Sequence, residues 1–358
     1  MSSERNYGID LLKIVSMFMV VVLHVLGQGG VLKTALDLTL NDTVAWFIEI
    51  LCFPAVNLFA LTTGYLCINK KFKYKSVANL YILVLFYSLL FALIFNGFDL
   101  IRIIKAIFPV SSKVYWYFSS YFCFILFIPF INKYLNSIDE FEYRNLIYVI
   151  LFITCGVGLI SRVLGYDVVL LNKGYSPIWL MSLYVIGGYI KLYNFKWKNK
   201  SKLLYFLIYI FISVFSLLSM VLIIKFPILD KFFSSQVLIQ YNSFTIVISS
   251  FVIFLLFVNI SVADFFKKSI SFFSGLSFSV YIIHCHPDVW KNFVGLFNNF
   301  AFMPVYQMVF MVLFTAVVIY VVCTIIDVIR YYLFKILRVE KLGSIVDEKI
   351  VSLLTKKG

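Results

Sequence analysis

The sequence is poor in the residues on which most active sites and most soluble folds depend. It holds three histidines, His24, His284 and His286, and 17 acidic residues against 31 basic ones. Its six cysteines, Cys52, Cys67, Cys123, Cys155, Cys285 and Cys323, show no CxxC pairing. They read as small buried apolar residues, with neither a disulfide framework nor a metal site. No Walker loop and no dinucleotide glycine motif occurs, which argues against ATP-driven and nicotinamide chemistry. Internal repeats, low-complexity linkers and loops long enough to form a separate domain are also lacking. Charged residues make up only 13%, which is outside the range of a soluble globular domain.

What is present is apolar, with 62% hydrophobic and 19% aromatic residues. Ten stretches are long enough to cross a bilayer: 9–28, 44–67, 77–97, 114–135, 145–164, 175–193, 203–224, 241–262, 270–287 and 303–327. They are continuous rather than alternating, so they predict helices and not barrel strands. The expected fold is therefore all-α, a polytopic transmembrane bundle of about ten helices. The first stretch is too long for a signal peptide and has no small-residue cleavage site, so it is expected to be retained.

The net charge of +14 follows the membrane rather than a nucleic acid. With the N-terminus inside, 21 basic residues fall on inside loops and tails and nine on outside segments, with Lys13 within the membrane. That asymmetry predicts cytoplasmic termini. The inside loop KKFKYK, Lys70 to Lys75, suits anionic lipid or the phosphates of a cofactor. Phe98 to Lys113 suits a short amphipathic helix on the outer surface.

The first stretch, IDLLKIVSMFMVVVLHVLGQ, carries Asp10, Lys13 and His24 where a plain anchor would be apolar. At about 100° and 1.5 Å per residue, Lys13 and His24 differ by about 20° in direction and about 16 Å in height. Asp10 lies one turn below Lys13 and falls within about 40° of His24. One helix face thus bears a polar stripe. A neutral imidazole there suits general-base work on a hydroxyl, or a hydrogen bond to a neighbouring helix. Lys13 suits a snorkelling or Asp10-paired cation, or a cation aimed at the phosphates of a long thin donor.

Further landmarks follow along the chain. Glu49 is an acid in an apolar setting, and Pro54 and Gly64 in FPAVNLFALTTGYL point to a kinked or broken helix. Tyr115, Trp116 and Tyr117 read as an interfacial belt, and Gly187 and Gly188 as a close helix approach. Asn242 and Ser243 suit a helix cap or an outer cavity. Pro287 is expected to end a helix and leave His284 and His286 near the outer surface, pointing in different directions and so without a zinc site. The mixed-charge tail from Arg330 is expected to lie along the cytoplasmic surface.

These residues resemble the acyltransferase 3 family of integral membrane acyltransferases, especially bacterial O-acetyltransferases of surface polysaccharides. The resemblance rests on Lys13 and His24 with ten residues between them, preceded by Asp10, and on Thr63–Gly64–Tyr65–Leu66. It also rests on WYF at Trp116, YNSF at Tyr241 and VYIIHCHP at Tyr281, in family order over almost the whole chain. It implies a domain over 1–340 with a cytoplasmic tail over 341–358, in a bacterial cytoplasmic membrane. It implies acetyl-CoA or another acyl-CoA as donor and a glycan or lipid-linked saccharide as acceptor; no metal is expected, since no cluster of acids and histidines has ligand spacing. His24 would be the catalytic residue, with Lys13, Asp10, Lys70 and Lys71 on the donor side. Glu49, Asn57, Tyr65 and Trp116, with Asn242, His284 and His286, would form the acceptor side. The family's basic position is more often arginine, and Lys13 offers a point charge in place of a bidentate fork. A glycan flippase without covalent chemistry is the alternative, although no inverted repeat with paired broken helices is evident.

Overall fold

The computed structural model describes residues 5–32, 38–112 and 114–355. Lys33, Lys113, Lys356 and Lys357, counted in the charge asymmetry, lie outside these residues. The described chain is helical, with no strand among the described residues. Its helices are α1 (Tyr7–Leu26), α2 (Leu40–Cys52), α3 (Ala55–Cys67), α4 (Tyr74–Asn96), α5 (Leu100–Ile107), α6 (Trp116–Ile125) and α7 (Ile128–Leu135). Next come α8 (Glu140–Leu151), α9 (Gly158–Val163), α10 (Pro177–Leu192), α11 (Lys202–Lys225) and α12 (Pro227–Asp230). The chain continues with α13 (Phe244–Val258), α14 (Asp264–His284), α15 (Pro287–Phe293), α16 (Val305–Ile336) and α17 (Glu340–Thr355).

Each of the ten apolar stretches is occupied by helix, but not every one is a full span. Among the described residues, six segments are long and apolar enough to cross a membrane: α1, α2 with α3, α4, α8 through α9, α11 and α16. A seventh results if α6 and α7, bent by 52°, count as one. Two stretches fall short in length, since α10 has 16 residues and α13 has 15. The serines of α14 and its Asp264, Lys267 and Lys268 make it too polar. The chain is a multi-pass membrane protein.

Breaks in the helices have identifiable causes. Pro54 has no N–H to return to Ile50, and the chain turns between α2 and α3 at Phe53–Pro54. The Ile50 carbonyl accepts instead from Phe53 N at 3.3 Å, and the adjacent Leu51 carbonyl accepts from the Tyr209 hydroxyl of α11, so a neighbouring helix supports the break. Between α8 and α9 the chain forms a π-helical turn over Phe152–Val157, where Asn242 Nδ2 donates to the Thr154 carbonyl at 3.1 Å. Glycine lets α3 and α10 cross closely. A Cβ on Gly187 would lie 2.1 Å from the Leu61 carbonyl oxygen, and one on Gly64 would lie 2.0 Å from that of Tyr184.

Helix α1 is the central strut, packed against α2, α3, α13, α14 and α16. Its start is capped by Asn6, whose side chain accepts from Ile9 N and donates to the Val258 carbonyl. Its end runs into GQGG, and this turn is sewn to the segment after α15 by two bonds. Gly295 N donates to the Gln28 carbonyl and Phe297 N to the Gly29 carbonyl, each at 2.8 Å. Those bonds hold α15 over the His24 end of α1. Helix α17 docks on α4, where Lys75 N donates to Asp347 at 3.1 Å.

Candidate active site

A cavity of about 300 Å³ opens at the His24 end of α1. Along α1 it is lined by Met17, Val20, Leu23, His24, Gly27 and Gln28, which is one helix face followed over three turns. Glu49 and Phe53 come from the α2 side of the Pro54 break, and Val56 and Phe59 from the α3 side. Trp116 and Tyr117 open α6, Tyr175 precedes α10, Tyr241 precedes α13, and Tyr281 and Trp290 close the remaining wall. The break thus turns a wall of packed helix into a recess.

The aromatic lining is positioned by tight local packing. Gly174 has φ +98°, and a Cβ there would lie 2.5 Å from the Cβ of Tyr241. Only glycine permits that approach at that backbone angle. It seats Tyr175 with its ring 4.9 Å from Tyr241 and 4.4 Å from Trp116. Tyr115 and Tyr117 are buried and Trp116 faces the cavity. The interfacial-belt reading of these three is therefore corrected: they belong to the protein interior, where packed neighbours and not a lipid interface explain the aromatic cluster.

The polar centre of the cavity is a pair of histidines from helix ends. His284, the last residue of α14, places Nδ1 2.5 Å from the Val280 carbonyl, one turn back on its own helix. A carbonyl only accepts, so Nδ1 of His284 carries the proton and Nε2 has the lone pair. That nitrogen lies 2.8 Å from Nδ1 of His24. His24 therefore donates from Nδ1, and its own Nε2 is left unprotonated. The edge of the Trp290 ring system, at a centroid distance of 4.7 Å, fixes the His24 ring from another side. The arrangement holds a neutral imidazole with a free lone pair in an aromatic-walled cavity. Cys285 joins the pair, with Sγ 3.5 Å from His24 Nδ1 and 3.3 Å from His284 Nε2. The reading of all six cysteines as small buried apolar residues is corrected here, because Cys285 is half-buried and faces two imidazoles. Cys123 departs from it as well, being exposed.

Two buried polar atoms on the wall lack a partner among the described residues, Glu49 Oε2 and the Tyr117 hydroxyl. Unpaired polar atoms at a cavity are groups that a ligand can satisfy.

The other end of α1 is fully paired. Asp10 is buried and receives Arg5 Nε at 2.6 Å and Lys13 Nζ at 3.1 Å. The hydrogen bond that Arg5 donates to Asp10 raises its guanidinium above the ordinary value against the opposing effect of burial. Lys13 lies one turn beyond Met17 on the cavity-lining face, so the floor of the cavity stops about 6 Å of helix rise short of it. Lys13 and Lys70 are both within electrostatic reach of Cys67 at the end of α3, and Lys70 and Lys71 are exposed.

Several expected acceptor-side residues are elsewhere. Asn57 is fully buried and used at both ends, donating to the Tyr241 carbonyl at 2.8 Å and accepting from Trp179 at 3.0 Å. Asn242 accepts from Arg162 at 2.7 Å and donates to Thr154. Neither lines the cavity, since satisfied amides have become cross-braces between helices. Tyr65 packs edge-on against Phe254 with the Lys191 ammonium 4.9 Å from its ring, away from the cavity. His286, like His284, is buried; it packs against Phe91 at 5.1 Å and lines a separate cavity of about 130 Å³ with Asn96, Arg102, Lys105 and Asp288. In that second cavity Asp288, despite the opposing effect of burial, is held below the ordinary carboxylate range by hydrogen bonds from Asn96 and Lys291.

The site therefore unites His24, Glu49, Trp116 and His284 from the expected set and adds Tyr117, Tyr175, Tyr281, Trp290 and Cys285. A histidine pair separated by 260 positions leaves no local sequence signal. No curated protein and no solved structure matches the chain. A family model described as an acyltransferase domain matches residues 6–327, which includes every residue of the cavity. The chain belongs to the acyltransferase 3 family and is a membrane acyltransferase.

Proposed function

We propose that this protein transfers an acyl group, most simply acetyl, from acyl-CoA on the Asp10 side of the membrane to a hydroxyl of a surface or lipid-linked glycan at the His24 side. The Asp10 end is the cytoplasmic one, as the basic loops predict, and the membrane is a bacterial cytoplasmic membrane. The donor's phosphates meet Lys13, Lys70 and Lys71. Its thin pantetheine arm runs along the face of α1 that begins at Lys13 and lines the cavity from Met17 to Gln28. About 16 Å of helix separates Lys13 from His24, a span for an extended arm and not for direct contact of the two side chains.

At the His24 end, the free Nε2 takes the proton of the acceptor hydroxyl as the oxygen attacks the thioester carbonyl. The thiolate of coenzyme A leaves, and the proton now on His24 passes to it. His284 acts through His24, since its carbonyl-anchored tautomer forces the Nδ1 proton of His24 to face inward. A histidine here does the orienting that a carboxylate does in other base dyads, without placing a permanent charge in the membrane. Trp116, Tyr175 and Tyr241 give flat faces for a sugar ring, and Glu49 accepts from its hydroxyls.

The observation that carries this reading is the bare Nε2 of His24, held by His284 inside a cavity that shares one helix face with Lys13. The test is transfer of label from acetyl-CoA to glycan by purified protein in liposomes, with mass spectrometry of the surface polysaccharide of cells with and without the gene. A gain of one acyl unit that depends on His24 is the expected result. Glycan movement across the membrane without label transfer would replace this account with a flippase.

A further inference from the structure

Nδ1 of His24, Nε2 of His284 and Sγ of Cys285 form a compact triangle, with edges of 2.8, 3.3 and 3.5 Å and all three atoms within 4.8 Å of one another. Two imidazoles and a thiol are a zinc donor set. With zinc to nitrogen distances of about 2.0–2.1 Å and zinc to sulfur of about 2.3 Å, tetrahedral geometry places two nitrogens about 3.3 Å apart and nitrogen and sulfur about 3.6 Å apart. The triangle needs to open by only a few tenths of an ångström on two edges and by about half an ångström on the third, within the reach of side-chain rotation. Of the three donors His24 lines the cavity, from which a water would complete the shell.

We infer that this triangle is a zinc site whose occupation switches the enzyme off; the site rests on geometry alone, and the inhibition rests on the role proposed for His24. The proton balance explains the inhibition. Zinc takes the lone pairs of His284 Nε2, His24 Nδ1 and the Cys285 thiolate. The Cys285 thiol proton leaves to water. The proton that sat on His24 Nδ1 moves to Nε2, so the imidazole stays neutral but in the opposite tautomer. Nε2 then has an N–H where the acceptor hydroxyl needs a lone pair. One proton is released per zinc, so affinity rises about tenfold per pH unit while the thiol is protonated. The other titratable groups facing Cys285 are Tyr115, Tyr281 and Cys323, with Glu49 on the cavity wall. None of these four belongs to the triangle.

Cobalt(II) reports such a site through its thiolate charge-transfer absorption. The purified full chain in detergent should show that band at one equivalent, and zinc should erase it. Cys285→Ser and Cys285→Ala, each monodisperse, should lose the band although five cysteines remain. His284→Ala should weaken metal affinity by more than the roughly 10–100-fold typical of losing an outer-shell partner. Acyl transfer by the wild-type chain should fall with zinc occupancy, and Cys285→Ala should need far more zinc for the same fractional loss of its own metal-free rate. A missing band, or zinc affinity unchanged in both Cys285 variants, overturns the site. A protein that binds zinc at the triangle yet transfers no acyl group in its metal-free form keeps the site and refutes the proposed reaction.

Discussion

The two ends of α1 handle polar groups in opposite ways. At the Asp10 end the charges on and beside the helix are matched, with Arg5 and Lys13 both bonded to one buried carboxylate. At the His24 end the polar atoms are held but left incomplete: His24 has a bare Nε2, and Glu49 Oε2 and the Tyr117 hydroxyl have no partner among the described residues. Buried polar groups are costly when unpaired, so a fold that pairs them at one end and leaves them open at the other has reserved the second end for a ligand. The same contrast separates Asn57 and Asn242, satisfied at both termini, from Glu49. Pairing identifies a brace, and its absence at a cavity identifies a site.

Substitutions can break that contrast, beginning with the largest expected effect. His24→Ala should lower acyl transfer by at least about 10²–10⁴-fold, the usual share of a general base, with the protein still in the membrane. Next, His284→Ala should cost about 10–100-fold, as for other groups that orient a functional imidazole. His284→Gln should recover part of this, because its amide oxygen can accept from His24 Nδ1, whereas His284→Leu should not; a merely structural role would favour neither. Glu49→Gln should raise the KM for the acceptor about five- to tenfold, the worth of one hydrogen bond, with a small effect on donor KM. Lys13→Ala should raise donor KM about two- to fivefold and leave acceptor KM alone, since Lys70 and Lys71 share the task. Gly187→Ala, outside the cavity lining, should reduce stability by about 1–3 kcal/mol in a melting assay and leave the KM values of the folded fraction unchanged.

The sequence makes the apolar helices legible because their signal is local. The Pro54 break, the amphipathic α5 and the Gly187 approach are legible for the same reason, each being a property of a few consecutive residues. Full spans were harder to count, since α10 and α13 are short and α14 is polar yet packs against α1 in the bundle. The polar face of α1 was also open to reading, as it needs only helical arithmetic. Partnership was not. That His284 turns to His24 while His286 turns to Phe91 depends on where α14 ends relative to α1, a tertiary fact. Trp116 illustrates the same limit, because an aromatic beside polar residues has one appearance in sequence whether it meets a membrane interface or a cavity. Asn57 and Asn242 carry the right chemistry for a site, and only their bonds assign them to the scaffold.

The central claim is that His284 holds His24 with its proton on Nδ1 and Nε2 free. With three histidines in the chain, nitrogen-15 resonances of the labelled protein can be assigned from single variants. The account predicts that His24 is the neutral Nδ1–H tautomer in the wild-type chain and loses that preference in His284→Ala. A His24 found as the Nε2–H tautomer in the metal-free wild-type protein would contradict it.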